Sequence, residues 1–280
     1  MSKLKISELF YSVQGEGRYM GVPSVFLRVF GCNFKCDGFG MPKGEKSVER
    51  FAVDGEKFKS YKLLPLVSTG CDSYASWDPR FKHLSPVLDT NTIVDTITDL
   101  LPANRWKDEH LVITGGEPLL GWQRAYPELL SHDNMRGLQE ITFETNGTQL
   151  LEPELVKFLN EWKKHRFLHC LTFSVSPKLS ISCESWEDAI CPDVVAQYYN
   201  TGYTYLKFVV ANKEDADEAE QAVNEYRKRG FKGPVYLMPC GGVERVYSMN
   251  NRTVAELAMQ KGWRYSDRLQ VPLFKNEWGT

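Results

Sequence analysis

Two cysteines, Cys32 and Cys36, lie in the sequence GCNFKCDG directly after an apolar stretch, with three residues between them. A third, Cys71, begins the sequence CDSYASW, beyond residues 37–70. Thiolates are soft ligands that suit zinc and iron–sulfur clusters, so Cys32 and Cys36 could share one metal centre. The pair by itself is equally consistent with a structural zinc site or with two buried thiols.

The sequence contains seven cysteines, and this odd number argues against a framework of disulfides. Cys170 lies in an apolar stretch and is expected to be a core residue, because free cysteine often packs as a small hydrophobic side chain. Cys183 and Cys191 fall in a predicted loop, and Cys240 has little around it that suggests chemistry. None of the four is a convincing fourth ligand for a closed metal site.

Two glycine-containing sequences could bring the backbone close to a ligand. TGGEP, residues 114–118, follows a predicted strand, and VQGEG occupies residues 13–17. Glycine permits tight turns and close backbone approach, while Gln and Glu supply a mixture of donors and acceptors. Each sequence is also consistent with an ordinary turn.

Arg28 lies among apolar residues in FLRVF. A buried arginine is costly unless it is paired, and its planar fork matches a carboxylate with two hydrogen bonds. Arg28 could therefore bind the carboxylate of a ligand or form a structural ion pair with an internal Asp or Glu.

The hydrophobic periodicity predicts the scaffold that positions these residues. From about residue 85 onward, helical and strand patterns alternate. Strands are predicted over 24–30, 110–114, 140–145, 168–175, 204–210 and 234–238, and helices over 90–101, 122–130, 152–165, 213–229 and 253–260. About six strand–helix units predict a parallel sheet covered by helices, as an open doubly wound sheet or as a closed or partly closed barrel. In both, functional residues belong in loops after the carboxyl ends of strands.

Residues 37–70 interrupt this alternation and are rich in Gly, Lys and Glu. We expect a single domain over residues 1–280, in which 37–70 form an inserted excursion. The composition indicates a solvated surface loop, with a small hairpin around Asp54 and Gly55.

The charge balance limits the classes of partner. Lys and Arg total 34 against 36 Asp and Glu, a formal net charge of -2, which argues against a protein that mainly coats nucleic acid or anionic membranes. No apolar stretch approaches the roughly 20 residues that span a bilayer. The polar start MSKLKISELF is unlike a secretory signal, so we expect a soluble, cytoplasmic protein.

Taken together, GVPSVFLRVFGCNFKC, the following CDS, TGGEP and VQGEG resemble the 7-carboxy-7-deazaguanine synthases, a family of radical S-adenosylmethionine (SAM) enzymes. Family members normally carry the cysteines as C-x3-C-x2-C, with the third followed by Asp and then Thr or Ser. Here the third cysteine is displaced, and we interpret residues 37–70 as an insertion within the motif. Because the entropy of loop closure rises slowly with length, the insertion need not disturb the site.

The resemblance covers residues 6–36 and 71–240 and implies a partial, open TIM-like barrel of the radical SAM type. It implies that Cys32, Cys36 and Cys71 hold a [4Fe–4S] cluster with one iron left open for SAM. The implied SAM-binding residues are Gly70, Asp72, Gly115, Gly116, Glu117, Glu144, Asn146, Ser176, Lys178, Met238 and Pro239. The implied substrate-binding residues are Val13, Gln14, Gly15, Glu16, Arg28 and Thr114, and Ser73 is the implied Mg²⁺ ligand. The role of the last forty residues stays open.

The family converts 6-carboxy-5,6,7,8-tetrahydropterin to 7-carboxy-7-deazaguanine with loss of ammonia, in the biosynthesis of 7-deazapurines such as queuosine. The resemblance therefore implies a homodimeric lyase with an electron donor such as flavodoxin or ferredoxin, and with neither nucleic acid nor membrane as a partner. Three alternatives remain open. They are another radical SAM enzyme such as a glycyl-radical activase, a zinc-stabilised binding module without catalysis, and a nucleic-acid-binding protein with a local basic patch.

Overall fold

The apolar stretches pair into one mixed sheet in a computed structural model that describes residues 1–164 and 169–280. Its strands are β1 (Lys3–Val13), β2 (Pro23–Val29), β3 (Val87–Asp89), β4 (His110–Gly115), β5 (Glu140–Thr145), β6 (Cys170–Val175), β7 (Tyr203–Val210), β8 (Val235–Pro239) and β9 (Arg264–Tyr265). Their order in the sheet is β3-β1-β2-β4-β5-β6-β7-β8-β9. β1 pairs antiparallel with β2 and β3, and every other neighbouring pair is parallel.

Helices connect the parallel strands. They are α1 (Thr90–Leu100), α2 (Tyr126–Leu130), α3 (Pro153–Lys164), α4 (Trp186–Ala189), α5 (Pro192–Thr201), α6 (Lys213–Lys228), α7 (Glu244–Gln260) and α8 (Gln270–Phe274). Short 3-10 helices occupy Gly17–Tyr19, Glu49–Ala52, Gly55–Lys57, Tyr61–Leu63, Tyr74–Ser76, Pro79–Leu84, Gln123–Ala125, Asp133–Met135 and Ser180–Ser182. Within the described residues the edge strands β3 and β9 do not pair with each other, so the sheet is open. The predicted open α/β architecture is confirmed, and a closed barrel is excluded.

Alternation along the strands separates a hydrophobic face from a polar face. Leu27, Ile113, Phe143, Phe173 and Phe208 are fully buried in the main core. Because successive side chains of a strand point to opposite faces, their neighbours lie on the other face of the sheet. These neighbours are Arg28, Thr114, Glu144, Ser174 and Lys207, and they line a cavity.

Several elements of the structure were not among the sequence predictions, namely β1, β3, β9, α4, α5 and α8. β1 was not predicted, because its alternating antiparallel pattern is followed by no helix. α7 begins at Glu244, whereas the predicted helix began at residue 253. The prediction missed the first part of α7 because little of it apart from Tyr247 is buried, so it lacks a helical hydrophobic pattern. The ends of two predicted elements, His165 and Leu168, lie outside the described residues.

Residues 37–70 are not the predicted solvated loop with a hairpin. They contain no strand, and Asp54 instead caps the 3-10 helix Gly55–Lys57. Val53, Tyr61, Leu64 and Val67 form a small core of their own with Tyr74, Ala75 and Phe81. The apolar residues of this segment follow no regular period, which is why the pattern did not reveal that they are buried.

None of the helices within residues 1–164 and 169–280 has the length and apolar character needed to cross a bilayer.

Candidate active site

An open cavity of about 1640 Å³, counting the space that opens to solvent, lies at the carboxyl ends of the parallel strands. It brings together most of the residues singled out from the sequence. They are Val13, Gln14, Gly15, Glu16, Arg28, Cys32, Cys36, Gly70, Cys71, Asp72, Ser73, Thr114, Gly115, Gly116, Glu144, Asn146, Ser176, Lys178 and Met238. Glu117 and Pro239 are the two predicted site residues that do not line it.

The three thiols share one wall of the cavity. Cys32, Cys36 and Cys71 pack together with Phe34, Phe39 and Ala189. Burial raises the pKa of Cys32 to about 12 and that of Cys71 to about 11, and it raises the pKa of Cys36 well above its ordinary value. Buried thiols of this kind become thiolates when a bound cation stabilises their negative charge.

Hydrogen-bond donors already point at two of these sulfur atoms. The backbone N–H of Phe34 donates to Cys32 Sγ at 3.4 Å, and Trp77 Nε1 donates to Cys71 Sγ at 3.4 Å. Within the described residues, no group of three or more His, Cys, Asp or Glu side chains could hold a single metal ion. A [4Fe–4S] cluster needs no such convergence, because each thiolate binds a different iron. The donor set therefore fits a cluster.

Backbone contacts hold the loop that carries Cys32 against the end of β4. The amide of Glu117 donates to the carbonyl of Gly31 at 2.7 Å, and the amide of Gly31 donates to the carbonyl of Ser76 at 2.8 Å. A Cβ on Gly116 would overlap the Gly31 carbonyl and lie 2.7 Å from Cys32 Cβ. Glycine at position 116 therefore permits this close approach.

The Glu117 side chain turns away from the cavity into the protein. Its carboxylate accepts hydrogen bonds from Leu119 N (3.0 Å), Thr145 Oγ1 (2.8 Å) and Asn146 N (2.7 Å). Burial raises its pKa to about 7, although these three donors oppose the shift. The carboxylate thus ties the ends of β4 and β5 together, and this need for an internal acceptor explains its orientation. Pro239, the other outlier, is buried at the end of β8.

A chain of alternating charges crosses another part of the cavity. Lys207 pairs with Glu16 Oε2, Glu16 Oε1 lies 3.2 Å from Arg268 Nε, and Arg268 Nη2 donates to Asp72 Oδ2 at 2.5 Å. Burial alone would raise the pKa of Glu16, but Lys207 and Arg268 lower it to about 2. The same contacts outweigh burial at Lys207 and Arg268, whose pKa values are raised. Burial would also raise the pKa of Asp72, but Arg268 lowers it, so all four groups are charged at neutral pH.

Arg28 forms the structural ion pair considered above and also faces the cavity. Its Nε lies 3.0 Å from Glu8 Oε2, without the alignment of a hydrogen bond, and its Nη1 donates to Ser73 Oγ at 3.2 Å. Burial raises the pKa of Glu8, and Arg28 opposes this shift. The pairing fixes the guanidinium at the cavity wall.

The remaining polar residues are oriented by one another. Gln14 Nε2 donates to Glu144 Oε1 at 3.1 Å, and Gln14 Oε1 accepts from the Glu16 amide at 3.0 Å. On the side of β6, Lys178 Nζ donates to Ser176 Oγ at 3.2 Å. These contacts hold the side chains in defined positions before any ligand enters.

Sequence reasoning missed several cavity residues. Lys207 carried a usable signal, because it is a charge within the apolar strand TYLKFVV, as Arg28 is within FLRVF. Glu8, Arg268 and Gln270 carried none, and Cys240 also lines the cavity. The last five residues, 276–280, belong to the lining as well, which gives the C-terminus a position that the motifs left open.

The chain is similar in sequence and in fold to known proteins. No family model matches the chain. The 7-carboxy-7-deazaguanine synthase of Halobacterium salinarum is 32% identical over 297 residues, covering 98% of this chain and 91% of that protein. The synthase of Pyrobaculum aerophilum is 28% identical over 279 residues, covering 99% and 97%. Among solved structures, the crystal structure of QueE from Escherichia coli superposes with a TM-score of 0.54 at 19% identity, covering 94% of this chain and 93% of that one.

The sheet is an open α/β sheet, and three thiols lie together at the carboxyl ends of its strands. Together with these relatives, this arrangement defines the chain as a radical SAM enzyme, a class that works with a [4Fe–4S] cluster and SAM. The relatives narrow this class further. The chain belongs to the 7-carboxy-7-deazaguanine synthase family, as the motifs indicated.

Proposed function

We propose that this chain, folded as a single domain with an insertion at residues 37–70, converts 6-carboxy-5,6,7,8-tetrahydropterin to 7-carboxy-7-deazaguanine with loss of ammonia. One observation carries the proposal. The three thiols line the same cavity as Arg28, Gln14 and Glu16, in a chain 32% identical to a 7-carboxy-7-deazaguanine synthase. A radical source and groups suited to a carboxylated pterin would thus share one cavity.

When bound, the cluster and SAM supply the radical that removes hydrogen from the substrate. Cys32, Cys36 and Cys71 would hold the cluster. Gly115 and Gly116 would let the backbone approach SAM closely, and Gly70, Asp72, Glu144, Asn146, Ser176, Lys178 and Met238 are the remaining cavity residues proposed to contact it. Glu117 would support this part of the cavity through its bonds to the β5 loop rather than touch SAM.

The substrate would bind between the Arg28–Glu8 pair and the chain of charges that contains Glu16. Arg28, held by Glu8, would receive its carboxylate with the planar guanidinium. Gln14 and Glu16, whose orientations are set by Glu144, Lys207 and Arg268, would bind the polar edge of the pterin, together with Val13, Gly15 and Thr114. Because these groups are paired beforehand, little ordering is needed when substrate binds.

We assign Mg²⁺ to Ser73. Its hydroxyl accepts from Arg28 Nη1 and donates to Asp72 Oδ1 at 3.3 Å, so a cation there would sit beside a guanidinium. Because the nearby Asp72 carboxylate is already paired with Arg268, further negative charge must come from a ligand, and the substrate carboxylate would supply it. Mg²⁺ typically takes few ligands from protein and the rest from substrate and water. The cation would then orient the substrate and stabilise negative charge that shifts during the rearrangement.

The family resemblance further supports a homodimer that works in the cytoplasm and receives electrons from a flavodoxin or ferredoxin.

The decisive experiment is anaerobic reconstitution with iron and sulfide, followed by turnover of the carboxylated tetrahydropterin with SAM and a chemical reductant. Wild type should bind four irons per chain and form product, and Cys71→Ala should lose both properties. Cys191→Ala is the matched control, because its thiol bonds to the Asp188 carbonyl and does not line the cavity.

The outcomes separate two parts of the proposal. A wild-type protein that holds the cluster and SAM but leaves this pterin unchanged would refute the substrate assignment alone. A Cys71→Ala variant that retains a full cluster would refute the assignment of the thiols.

A further inference from the structure

The insertion between Cys36 and Cys71 closes on itself at its base. The amide of Gly70 donates to the carbonyl of Phe39 at 2.7 Å, and the amide of Ser47 donates to the carbonyl of Asp37 at 2.7 Å. Both contacts lie within a few residues of a cavity thiol. The two cysteines are therefore brought together by the fold of the segment that separates them.

A buried cation, Arg50, lies at the centre of this arrangement. Its Nε and Nη2 donate to the two oxygens of Asp37 at 3.0 and 3.2 Å, and its Nη1 donates to Asp78 Oδ2 at 2.6 Å. Its guanidinium carbon lies 3.9 Å from the ring centre of Phe51 and 4.8 Å from that of Trp77. The planar fork thus meets two carboxylates and two aromatic rings at once, a geometry that lysine does not reproduce.

Two of the partners of Arg50 connect it to cavity thiols. Asp37 directly follows Cys36 in the chain, and Cys36 has a φ of 52°, in the left-handed region that non-glycine residues rarely adopt. Trp77, on which Arg50 stacks, donates its indole N–H to Cys71 Sγ. Asp78 follows Trp77 and fixes the same turn. A single side chain from the insertion therefore contacts the neighbours of two of the three thiols.

We propose that Arg50 is a positioning residue for the iron–sulfur cluster: it holds Cys36 through Asp37, and Cys71 through Trp77. This inference rests on the proposed role of the three thiols. The inference gives the insertion a function. Residues 37–70 separate Cys36 from Cys71 in the sequence, and they also supply Arg50, which holds both cysteines in position. Replacing a group that orients a metal ligand typically lowers metal affinity roughly 10–100-fold.

The test compares Arg50→Met and Arg50→Lys with wild type. The matched control is Lys57→Met, which removes another cation of the insertion whose pairing with Asp54 is solvent-exposed. Circular dichroism of the apo-proteins establishes folding first. Iron and sulfide per chain, the rate of iron loss to a chelator, and the electron paramagnetic resonance spectrum of the reduced cluster are then measured.

We expect folded Arg50→Met to lose iron to the chelator roughly tenfold faster than wild type, with an altered spectrum, and Arg50→Lys to be intermediate. Lys57→Met should match wild type. A folded Arg50 variant with wild-type iron content, chelation rate and spectrum would overturn the inference, since a role confined to folding moves none of these readouts. A wild-type chain that binds no cluster would instead refute the proposed function.

Trp77→Phe gives an independent measurement if neither Arg50 variant folds. It keeps a ring beneath Arg50 and removes the N–H donor to Cys71. Hydrogen bonds to cluster sulfurs favour the reduced, more negative state, so the reduction potential should become more negative. An unchanged potential and spectrum would overturn the link from Arg50 to Cys71.

Discussion

Replacing Lys207 with methionine would remove one of the two cations that hold Glu16. The Lys207 and Glu16 side chains are 5% and 15% exposed. Glu16 also lies 3.2 Å from Arg268, which in turn pairs with Asp72. These four charges balance in the wild type, and the variant leaves two carboxylates facing one cation. Methionine keeps most of the apolar stem of lysine, so the change is chiefly one of charge.

Two separate arguments give the expected loss in the free energy of unfolding. Removing one partner of a buried ion pair costs about 3–5 kcal/mol, because the other charge is left buried. Independently, Lys207 and Arg268 overcome the effect of burial and lower the pKa of Glu16 from 4.5 to about 2. This net pKa difference of about 2.5, which remains after the opposing effect of burial, corresponds to about 3 kcal/mol. Since Arg268 remains, we expect Lys207→Met to reduce the free energy of unfolding by about 2–3 kcal/mol.

Urea denaturation of the apo-protein at pH 7, followed by circular dichroism, measures this loss. The exposed pair of Lys213 with Asp217 provides the control, and Lys213→Met should cost less than about 1 kcal/mol. Adding Glu16→Gln to Lys207→Met should recover about 1 kcal/mol or more, because it removes the excess negative charge and leaves Arg268 paired with Asp72. A Lys207→Met variant within about 0.5 kcal/mol of wild type, or a double variant that recovers nothing, would refute the reasoning.

Three further predictions follow from the cavity. Gly116→Ala should at least halve the iron bound after reconstitution, because the new Cβ would overlap the Gly31 carbonyl. The control is Gly21→Ala, whose Cβ would meet open space at a φ of +86°. Equal iron content in the two variants would contradict the prediction. Because the pKa of Glu16 is lowered, its stabilising contribution is complete above its unfolded pKa near 4.5 and is lost as pH falls towards about 2. Between pH 4.5 and 3, urea denaturation should therefore show apo wild type losing about 1.5 kcal/mol relative to Glu16→Gln, and parallel pH profiles would exclude the depressed pKa. Mg²⁺ should bind at least about tenfold more tightly when substrate is present, because Arg28 Nη1 lies 3.2 Å from the Ser73 hydroxyl and a second cation there needs the substrate carboxylate. Calorimetry that finds equal affinity with and without substrate would place the ion elsewhere.

The sequence determined the parallel strands apart from β9, and most of the site residues that it singled out line the cavity. Strand residues alternate between two faces, and functional loops of such sheets follow the carboxyl ends of strands, so local patterns were sufficient to locate Arg28, TGGEP and the polar loop after β5. The resemblance carried by the cysteine and glycine motifs correctly indicated the family, which the relatives confirm. These are properties of short segments, which a linear pattern records.

Only the tertiary structure decided how distant segments meet. Glu16 and Arg268 are 252 positions apart in the chain, and no local period links them. The Gly-, Lys- and Glu-rich composition of residues 37–70 predicted a solvated loop, yet the segment buries Arg50 between Asp37 and Asp78. Such contacts depend on how whole elements pack. The same is true of the pairing of Lys207, which lies on β7, with Glu16 of the VQGEG loop. Burial and pairing of these charges are properties of the packed molecule, because only packing removes them from water and brings their partners within reach.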